Sequence, residues 1–466
     1  MKIRIRSLIA PSALLCLGIT TRCIVYLFLS PYNNDAHITI VRYLVKYKAF
    51  PDFADNYLAF HPPLYYLLAA PILAIFKSDK AVQLFSLVTS IGTLTVLYEI
   101  IYKTGLIVSK HAQLYCFLLA CFLPQFIMFG LYISNDSLSF LIGSLTVLAT
   151  VAYLESPGWA RCALLAVITG LGLLTKTTFL VFVPVLLVFV LFVQFREHHS
   201  LSKAALTAGV FFFIGGALGS YKYFDNYARY KNAFINSLDV NSKDDPVWLF
   251  QMRSYRGLSS YVDFDIRRLL ESPSIPYDEL DGQRSPITTG SYPLLLYATF
   301  WYQHIPESNF RGAATKPFSY IGSAIYLVAL VPTAAFAVGA LRLLWRVPLF
   351  CRTFDRAERD DRRAMGVYVA AMLFAANAAL IVATVMRYHV WSLMQGRYLF
   401  PSFAGLLTTF AAGVELFDRT KVGGVVLKYL MIVLIGLFGL YLSTEVGYLM
   451  LYTFDPGIKE LIKSAL

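Results

Sequence analysis

Long apolar stretches separated by short polar connections run along almost the whole chain. Those long enough to cross a bilayer lie near residues 8–29, 82–102, 112–133, 137–154, 160–175, 177–195, 204–222, 318–341, 365–386, 398–416 and 427–450. A helix of about 20 apolar residues spans the hydrocarbon core of a membrane, which is about 30 Å thick. The pattern therefore predicts an all-α protein, a polytopic transmembrane bundle of about 11 spans.

One further apolar stretch, from Leu64 to Phe76, is too short to cross in the same way. Its length gives a helical rise of only about 20 Å, and Pro71 lies within it. We therefore expect a re-entrant or juxtamembrane helix here. With that choice the basic loops fall on the cytoplasmic side, as the positive-inside rule requires. These loops are residues 102–111, 196–203, 342–363 and 418–421.

The same topology divides the chain into three parts. Residues 1–222 form an N-terminal membrane module, whose first external loop covers residues 30–81, and residues 318–466 form the C-terminal membrane helices. Between them, residues 223–317 are too long for a simple connector, and we expect a large extracytoplasmic loop of short helices and turns. The first apolar stretch has no small-residue cleavage site after it, which predicts a retained first span.

Composition and charge narrow the function classes. With 58% hydrophobic residues and a mean hydropathy of +0.60, the chain carries more apolar surface than a soluble core could hide. The net charge of +12 does not indicate nucleic-acid binding, because seven arginines cluster in one basic loop between Arg342 and Arg363. The six cysteines show no disulfide or metal-binding spacing.

Several short motifs lie at the external ends of the predicted spans. They are NDAH (34–37), YKAFPDF (47–53), FHPPLYYLLAAP (60–71), SND (134–136), GLGLLTKTTFL (170–180) and QGRYLFP (395–401). The first five, within residues 1–200, resemble the C-type glycosyltransferase superfamily. Its members are multi-span membrane enzymes that use polyprenyl-phosphate-linked sugars, and they include protein O-mannosyltransferases and the aminoarabinose transferase of lipid A. The last motif recurs in bacterial relatives.

The resemblance implies that Asp35, in the first external loop, is the catalytic base. The chemistry agrees, because transfer of a sugar from a lipid phosphate to a hydroxyl needs a base where lipid headgroup and polar acceptor meet. An alternative role for Asp35 is the N-cap of a helix over residues 36–48, and Asp136 could likewise cap the span that follows it. The resemblance places Asp136 near the active site, where it would orient the acceptor or support the base.

The candidates for substrate binding are polar residues at or near the external face. They are Asp136, His37, His61, Lys176, Arg397, Arg22, Arg387 and Tyr398. Lys176 interrupts an apolar stretch, so a turn at the outer interface would place its charge near the donor phosphate, or near ordinary lipid phosphate. His61 precedes two prolines that would fix its direction, although a solvated or capping histidine is the alternative.

Three arginines could hold the phosphate of the donor. Arg387 and Arg397 begin and end one short external loop, and Arg397 also opens a span, although an arginine at that position could equally be an interface anchor. Arg22 lies about 12 Å inside the first span and therefore needs a partner. Tyr398 is adjacent to Arg397, where an aromatic belt is the alternative to a substrate contact.

Together these features predict an integral membrane glycosyltransferase in a bacterial inner membrane. It would move a sugar from a polyprenyl-phosphate-linked donor to a hydroxyl of a lipid, glycan or protein acceptor, on the extracytoplasmic face and by inverting single displacement. No cofactor is expected: Ala36 stands where the family often has a second acid, so a divalent metal is possible but not favoured. The alternatives are a lipid-linked sugar flippase or transporter, and a polysaccharide polymerase or ligase.

Overall fold

The protein is helical throughout the part that the computed structural model describes. The described residues are 10–32, 35–53, 55–241, 257–274, 290–302, 316–353 and 359–454, and every regular element within them is a helix. The N-terminal helices are α1 (Pro11–Phe28), α2 (Ile38–Tyr47), α3 (Leu64–Phe76), α4 (Asp79–Tyr102), α5 (Lys110–Phe122), α6 (Pro124–Leu131), α7 (Asn135–Glu155), α8 (Trp159–Leu173), α9 (Phe182–His198), α10 (Leu201–Gly219) and α11 (Tyr221–Tyr230).

The later helices are three short ones followed by four longer ones. They are α12 (Ser237–Asn241), α13 (Ile266–Glu271), α14 (Tyr292–Trp301), α15 (Lys316–Thr353), α16 (Arg359–Tyr388), α17 (Phe403–Phe417) and α18 (Lys421–Phe454). Short 3-10 helices precede α9 and α17, at Thr177–Val181 and Gly396–Ser402. Helices α12 to α14 belong to the polar segment 223–317, whose other residues lie partly outside the described ranges. The division into three parts stays a prediction.

The lengths of the helices confirm a multi-pass membrane protein. Among the described residues, nine helical segments are long and apolar enough to cross a bilayer, or ten if the bent pair α5 and α6 forms one span. The span expected near residues 160–175 is helix α8, which has only 15 residues. Helix α3 has the predicted bounds, and its placement as a helix that does not cross stays a prediction.

The stretch predicted as one span at 112–133 is broken at Pro124. Proline has no N–H to donate to the carbonyl four residues earlier, here Ala120, so α5 ends and α6 continues at an angle of 46°. Most residues on both sides of Pro124 are apolar, so the hydrophobic pattern predicted one continuous helix and did not indicate the break. Arg22 replaces the missing donors, since its Nη2 donates to the Ala120 carbonyl at 2.8 Å and its Nη1 donates to the Cys121 carbonyl at 3.2 Å.

One close contact joins the two halves of the chain. Gly143 on α7 lies against the turn Gly396–Ser402, where a Cβ would approach within 1.7 Å of the Pro401 carbonyl oxygen. Small residues allow membrane helices to approach this closely. Because α7 begins beside Asp136 and the turn contains Arg397, this contact brings the two residues into one region.

Candidate active site

Asp35 lies in the turn between α1 and α2 and pairs with a distant arginine. Its Oδ2 accepts a hydrogen bond from Arg397 Nη1 at 2.6 Å. Helix α2 begins at Ile38 with His37 at the cap position and without a side-chain cap bond, so Asp35 does not cap it. Tyr57 donates its hydroxyl to the Asp35 carbonyl at 2.9 Å, which holds the backbone of this turn.

Arg397 is buried and is positioned by its neighbours in the turn Gly396–Ser402. The Gly396 N–H donates to Thr299 Oγ1 at 2.9 Å, and Asn377 Nδ2 donates to the Tyr398 carbonyl at 2.9 Å. A Cβ at Gly396 would lie 2.5 Å from the Cα of Phe300, so this position admits only glycine without a backbone shift. The guanidinium therefore reaches Asp35 from a fixed turn.

Lys176 and Asp136 form a second ion pair, and both side chains are buried. The N-cap of α7 is Ser134, whose Oγ accepts from the Asp136 N–H at 3.2 Å, so the Asp136 carboxylate is left for the lysine. Asn135 Nδ2 donates to the Thr175 carbonyl at 3.2 Å and ties the two turns together. The Asp136 side chain therefore does not cap α7, which was the alternative role considered for it.

Tyr398 connects the two ion pairs. Lys176 Nζ lies 5.1 Å from the centroid of its ring, and the Cζ of Arg397 lies 4.9 Å from the same centroid. Arg397 Nη2 donates to the Tyr398 hydroxyl at 3.1 Å, and Phe129 lies 4.8 Å from the guanidinium. Tyr398 is therefore in contact with both cations of the site, which an aromatic belt alone would not require.

Two histidines lie near enough to Asp35 to influence its charge, His37 just before α2 and His61 just before α3. His37 is buried, its Nδ1 is 2.7 Å from the Tyr66 hydroxyl, and its ring centroid lies 5.3 Å from that of His61. Burial lowers the pKa of His37 to about 4, although the nearby carboxylates of Asp35 and Asp136 oppose the shift. Desolvation also holds the pKa of His61 well below its ordinary value. Both rings are neutral at pH 7 and can offer a neutral donor or acceptor to a bound sugar.

The electrostatics of Asp35 depend on Arg397. Burial alone would raise the pKa of Asp35, but the charge of Arg397, assisted by its hydrogen bond, brings the pKa down to about 2. Asp35 is therefore ionised at neutral pH. While it stays paired with Arg397 it is also a weak base, because a carboxylate of so low a pKa holds a proton poorly.

The structure does not bring Arg22 and Arg387 to this group. Arg22 is fully buried and donates to backbone carbonyls at the break between α5 and α6 and to Ser90 Oγ at 3.1 Å. Arg387 is more than half exposed and pairs with Asp239 at 2.9 Å. The partner that Arg22 needed is a helix end. Binding of the donor phosphate by either arginine stays a prediction, which these contacts do not favour.

Arg22→Met should destabilise the folded chain by about 2–3 kcal/mol, because the Ala120 and Cys121 carbonyls would be buried without a donor. Thermal unfolding of the purified protein would report the loss. Thr21→Val is the matched control, since Thr21 is the next residue and donates only to the Leu17 carbonyl of its own helix. A donor KM raised at unchanged stability would instead return Arg22 to the phosphate site.

Sequence reasoning missed several residues that shape this site. Tyr66, Phe129, Thr299 and Asn377 contact or position the predicted residues. Tyr66 lies within the FHPPLYYLL motif and could have been proposed from it. The other three lie in ordinary apolar stretches and carry no local signal.

The arrangement can bind an anion and accept a proton. Two cations and two carboxylates give a net charge near zero, and each cation could exchange its carboxylate for a phosphate oxygen. Among the residues that the structure describes, no group of three or more His, Cys, Asp or Glu side chains could hold a metal ion.

Residues 60–217 match the family model of dolichyl-phosphate-mannose-protein mannosyltransferases, which confirms the predicted resemblance to the C-type glycosyltransferase superfamily. No curated protein matches the chain.

Solved structures align with nearly the whole chain at low identity. The oligosaccharyltransferase of Archaeoglobus fulgidus in its apo form has a TM-score of 0.46 and 12% identity, over 94% of this chain and 55% of its own. This chain thus spans about half the length of that protein. ArnT of Cupriavidus metallidurans, in the apo state, has a TM-score of 0.39 and 12% identity, over 88% of this chain and 80% of its own.

Proposed function

We propose that this chain, which resembles the C-type glycosyltransferase superfamily, transfers a sugar from a polyprenyl-phosphate-linked donor to an acceptor hydroxyl at the extracytoplasmic face. The observation that carries the proposal is the Asp35–Arg397 ion pair, which Tyr398 links to the Lys176–Asp136 pair. Such a transfer requires a base for the acceptor proton and positive charge for the phosphate. Asp35 would be the base, and Arg397 and Lys176, which both contact the Tyr398 ring, would supply the charge.

The donor phosphate would bind between Arg397 and Lys176. A sugar phosphodiester carries one negative charge, so a site without net charge must open an ion pair to bind it. Arg397 is placed for this exchange, because its Nη1 faces Asp35 while its Nη2 is held by Tyr398. The phosphate would take the Nη1 contact and leave the Asp35 carboxylate without its main counter-charge.

This exchange would also prepare the base. Arg397 is the main cause of the low pKa of Asp35, and burial acts in the opposite direction. Once Arg397 turns to the phosphate, burial raises the pKa of Asp35 and the carboxylate becomes a better proton acceptor. Donor binding would therefore precede activation of the acceptor.

The chemical step is a single displacement. Asp35 takes the proton of the acceptor hydroxyl, whose oxygen forms a bond to the anomeric carbon. The bond between that carbon and the phosphate oxygen breaks, and its electron pair leaves with polyprenyl phosphate. Arg397 and Lys176 stabilise the charge on the leaving phosphate, and attack from the opposite side inverts the anomeric configuration.

The residues present favour a reaction without a resident metal ion. A divalent cation between phosphates is usually held by one or two carboxylates, and Asp35 and Asp136 are the carboxylates of this site. Each of them already pairs with a cation of the protein. Arg397 and Lys176 can supply the positive charge that a metal would otherwise provide.

A transfer assay on the purified full chain in lipid nanodiscs tests the proposal. The probes are undecaprenyl-phosphate hexoses and pentoses labelled in the sugar, with an envelope extract as acceptor. We expect release of undecaprenyl phosphate, a product of inverted anomeric configuration, and the same rate in EDTA. Loss of activity in EDTA with recovery in Mg²⁺ or Mn²⁺ would overturn the metal-free mechanism.

Two other outcomes would favour the rival functions. Movement of the labelled lipid between leaflets without release of undecaprenyl phosphate would indicate a flippase or transporter. Activity only with a diphosphate-linked oligosaccharide would indicate a polysaccharide polymerase or ligase.

A further inference from the structure

A cavity lies at the opposite end of α7 from Asp136. It has a volume of about 910 Å³ and is lined by the loop after α4, the end of α7 and the start of α16. Helix α7 has 21 residues, so its end at Glu155 lies about 30 Å from Asp136. The cavity is therefore separated from the candidate active site by about the thickness of a bilayer core.

Two arginines at the start of α16 give this cavity its positive charge. Arg362 Nη1 donates to the backbone carbonyl of Glu155 at 3.0 Å, which is a neutral acceptor. Arg363 Nη2 is 3.9 Å from Glu415 Oε1, too far for a hydrogen bond, while the other oxygen of Glu415 binds Arg342 at 3.0 Å. The Nε of Arg363 is buried and has no acceptor among the described residues.

The remaining lining is mostly apolar. Leu106 and Val108 come from the loop after α4, and Val151 and Leu154 come from α7. The lining contains one carboxylate, Glu155, against its two arginines. A free phosphate would satisfy the arginines but leave the apolar wall uncovered, whereas a lipid with an anionic headgroup matches both parts.

We propose that this cavity binds one anionic phospholipid from the leaflet opposite to the candidate active site. Arg362 and Arg363 hold the headgroup phosphate, and an acyl chain lies along Val151 and Leu154. Basic pockets between membrane helices recognise headgroups in this way on the cytoplasmic side. The positive-inside topology assigns this end of the bundle to that side. The site is independent of the proposed sugar transfer.

Native mass spectrometry of the purified full chain tests the site. The probes are palmitoyl-oleoyl phosphatidylglycerol, the phosphatidylcholine with the same acyl chains, and inorganic phosphate. We expect one preferentially bound phosphatidylglycerol molecule, which the Arg362→Gln, Arg363→Gln double variant binds about 25-fold more weakly, since each basic residue contributes about fivefold. The Arg362→Lys, Arg363→Lys double variant retains the charge and should retain most of the preference.

Two exposed arginines at the same end of the bundle provide a matched control. Arg346 and Arg419 lie outside the cavity lining, so Arg346→Gln, Arg419→Gln should bind phosphatidylglycerol as the wild type does. Equal binding of phosphatidylcholine, an equal loss in this control, or displacement of the lipid by inorganic phosphate would each overturn the proposal. If the glutamine variant does not fold, Val151→Trp must weaken phosphatidylglycerol binding while both arginines remain.

Discussion

Asp35→Asn should lower kcat for sugar transfer by about 1,000-fold, which is within the range that a general base contributes. The amide keeps the size of the side chain and still accepts a hydrogen bond from Arg397, but it cannot take the acceptor proton. The measurement is the rate of undecaprenyl phosphate release at saturating donor, on protein whose thermal unfolding matches the wild type.

The affinity of the Asp35→Asn variant for undecaprenyl phosphate distinguishes two roles of Asp35, that of a base and that of a residue that only shapes the loop. In the proposed mechanism Asp35 and the donor phosphate compete for Arg397, so Asp35→Asn should bind undecaprenyl phosphate at least as tightly as the wild type. A merely structural residue would weaken that binding when changed. Asp55→Asn is the matched control: Asp55 is exposed, lies between α2 and α3, and accepts from the Tyr43 hydroxyl at 2.8 Å. Full transfer by a folded Asp35→Asn protein would remove Asp35 from the mechanism.

The helical architecture could be predicted because the bilayer imposes a length and a composition on each span. The apolar stretches and the bounds of α3 are local properties, and local patterns reveal them. The break at Pro124 was missed for the same reason, since a single proline leaves the apolar pattern intact. Recognising it required Arg22, whose guanidinium binds the carbonyls that the break exposes and which lies 98 residues from Ala120.

The site was predictable in its residue types but not in its pairings. Motifs at the external ends of spans indicated Asp35, Asp136, Lys176 and Arg397. Which carboxylate would pair with which cation depends on how the helices pack, and Asp35 and Arg397 are 362 residues apart. The capping alternatives for the two carboxylates could likewise be rejected only after each was found beside a cation.

Arg397→Gln should lower kcat/KM for the donor by about 100- to 1,000-fold, the loss expected when a charged group that stabilises a leaving oxyanion is removed. It should also weaken binding of undecaprenyl phosphate, whereas Asp35→Asn should not. Arg387→Gln is the matched control, because Arg387 lies in the last turn of α16, close to Arg397 in the chain, but pairs with Asp239. Equal losses in the two arginine variants would contradict the assignment of the phosphate to Arg397.

The pH dependence of Arg397→Gln provides a second test with a defined sign. In the wild type the pKa of Asp35 is about 2, so kcat/KM should show no acid limb from Asp35 above pH 4. Without Arg397 the raising effect of burial is opposed only by the weaker influence of His37 and His61, so the pKa of Asp35 rises and activity should fall as the pH is lowered over a range in which the wild type stays flat. Arg397 also helps to hold the pKa of His37 down, so the limb must persist in an Arg397→Gln, His37→Gln double variant. A profile as flat as that of the wild type would show that Asp35 is not the base.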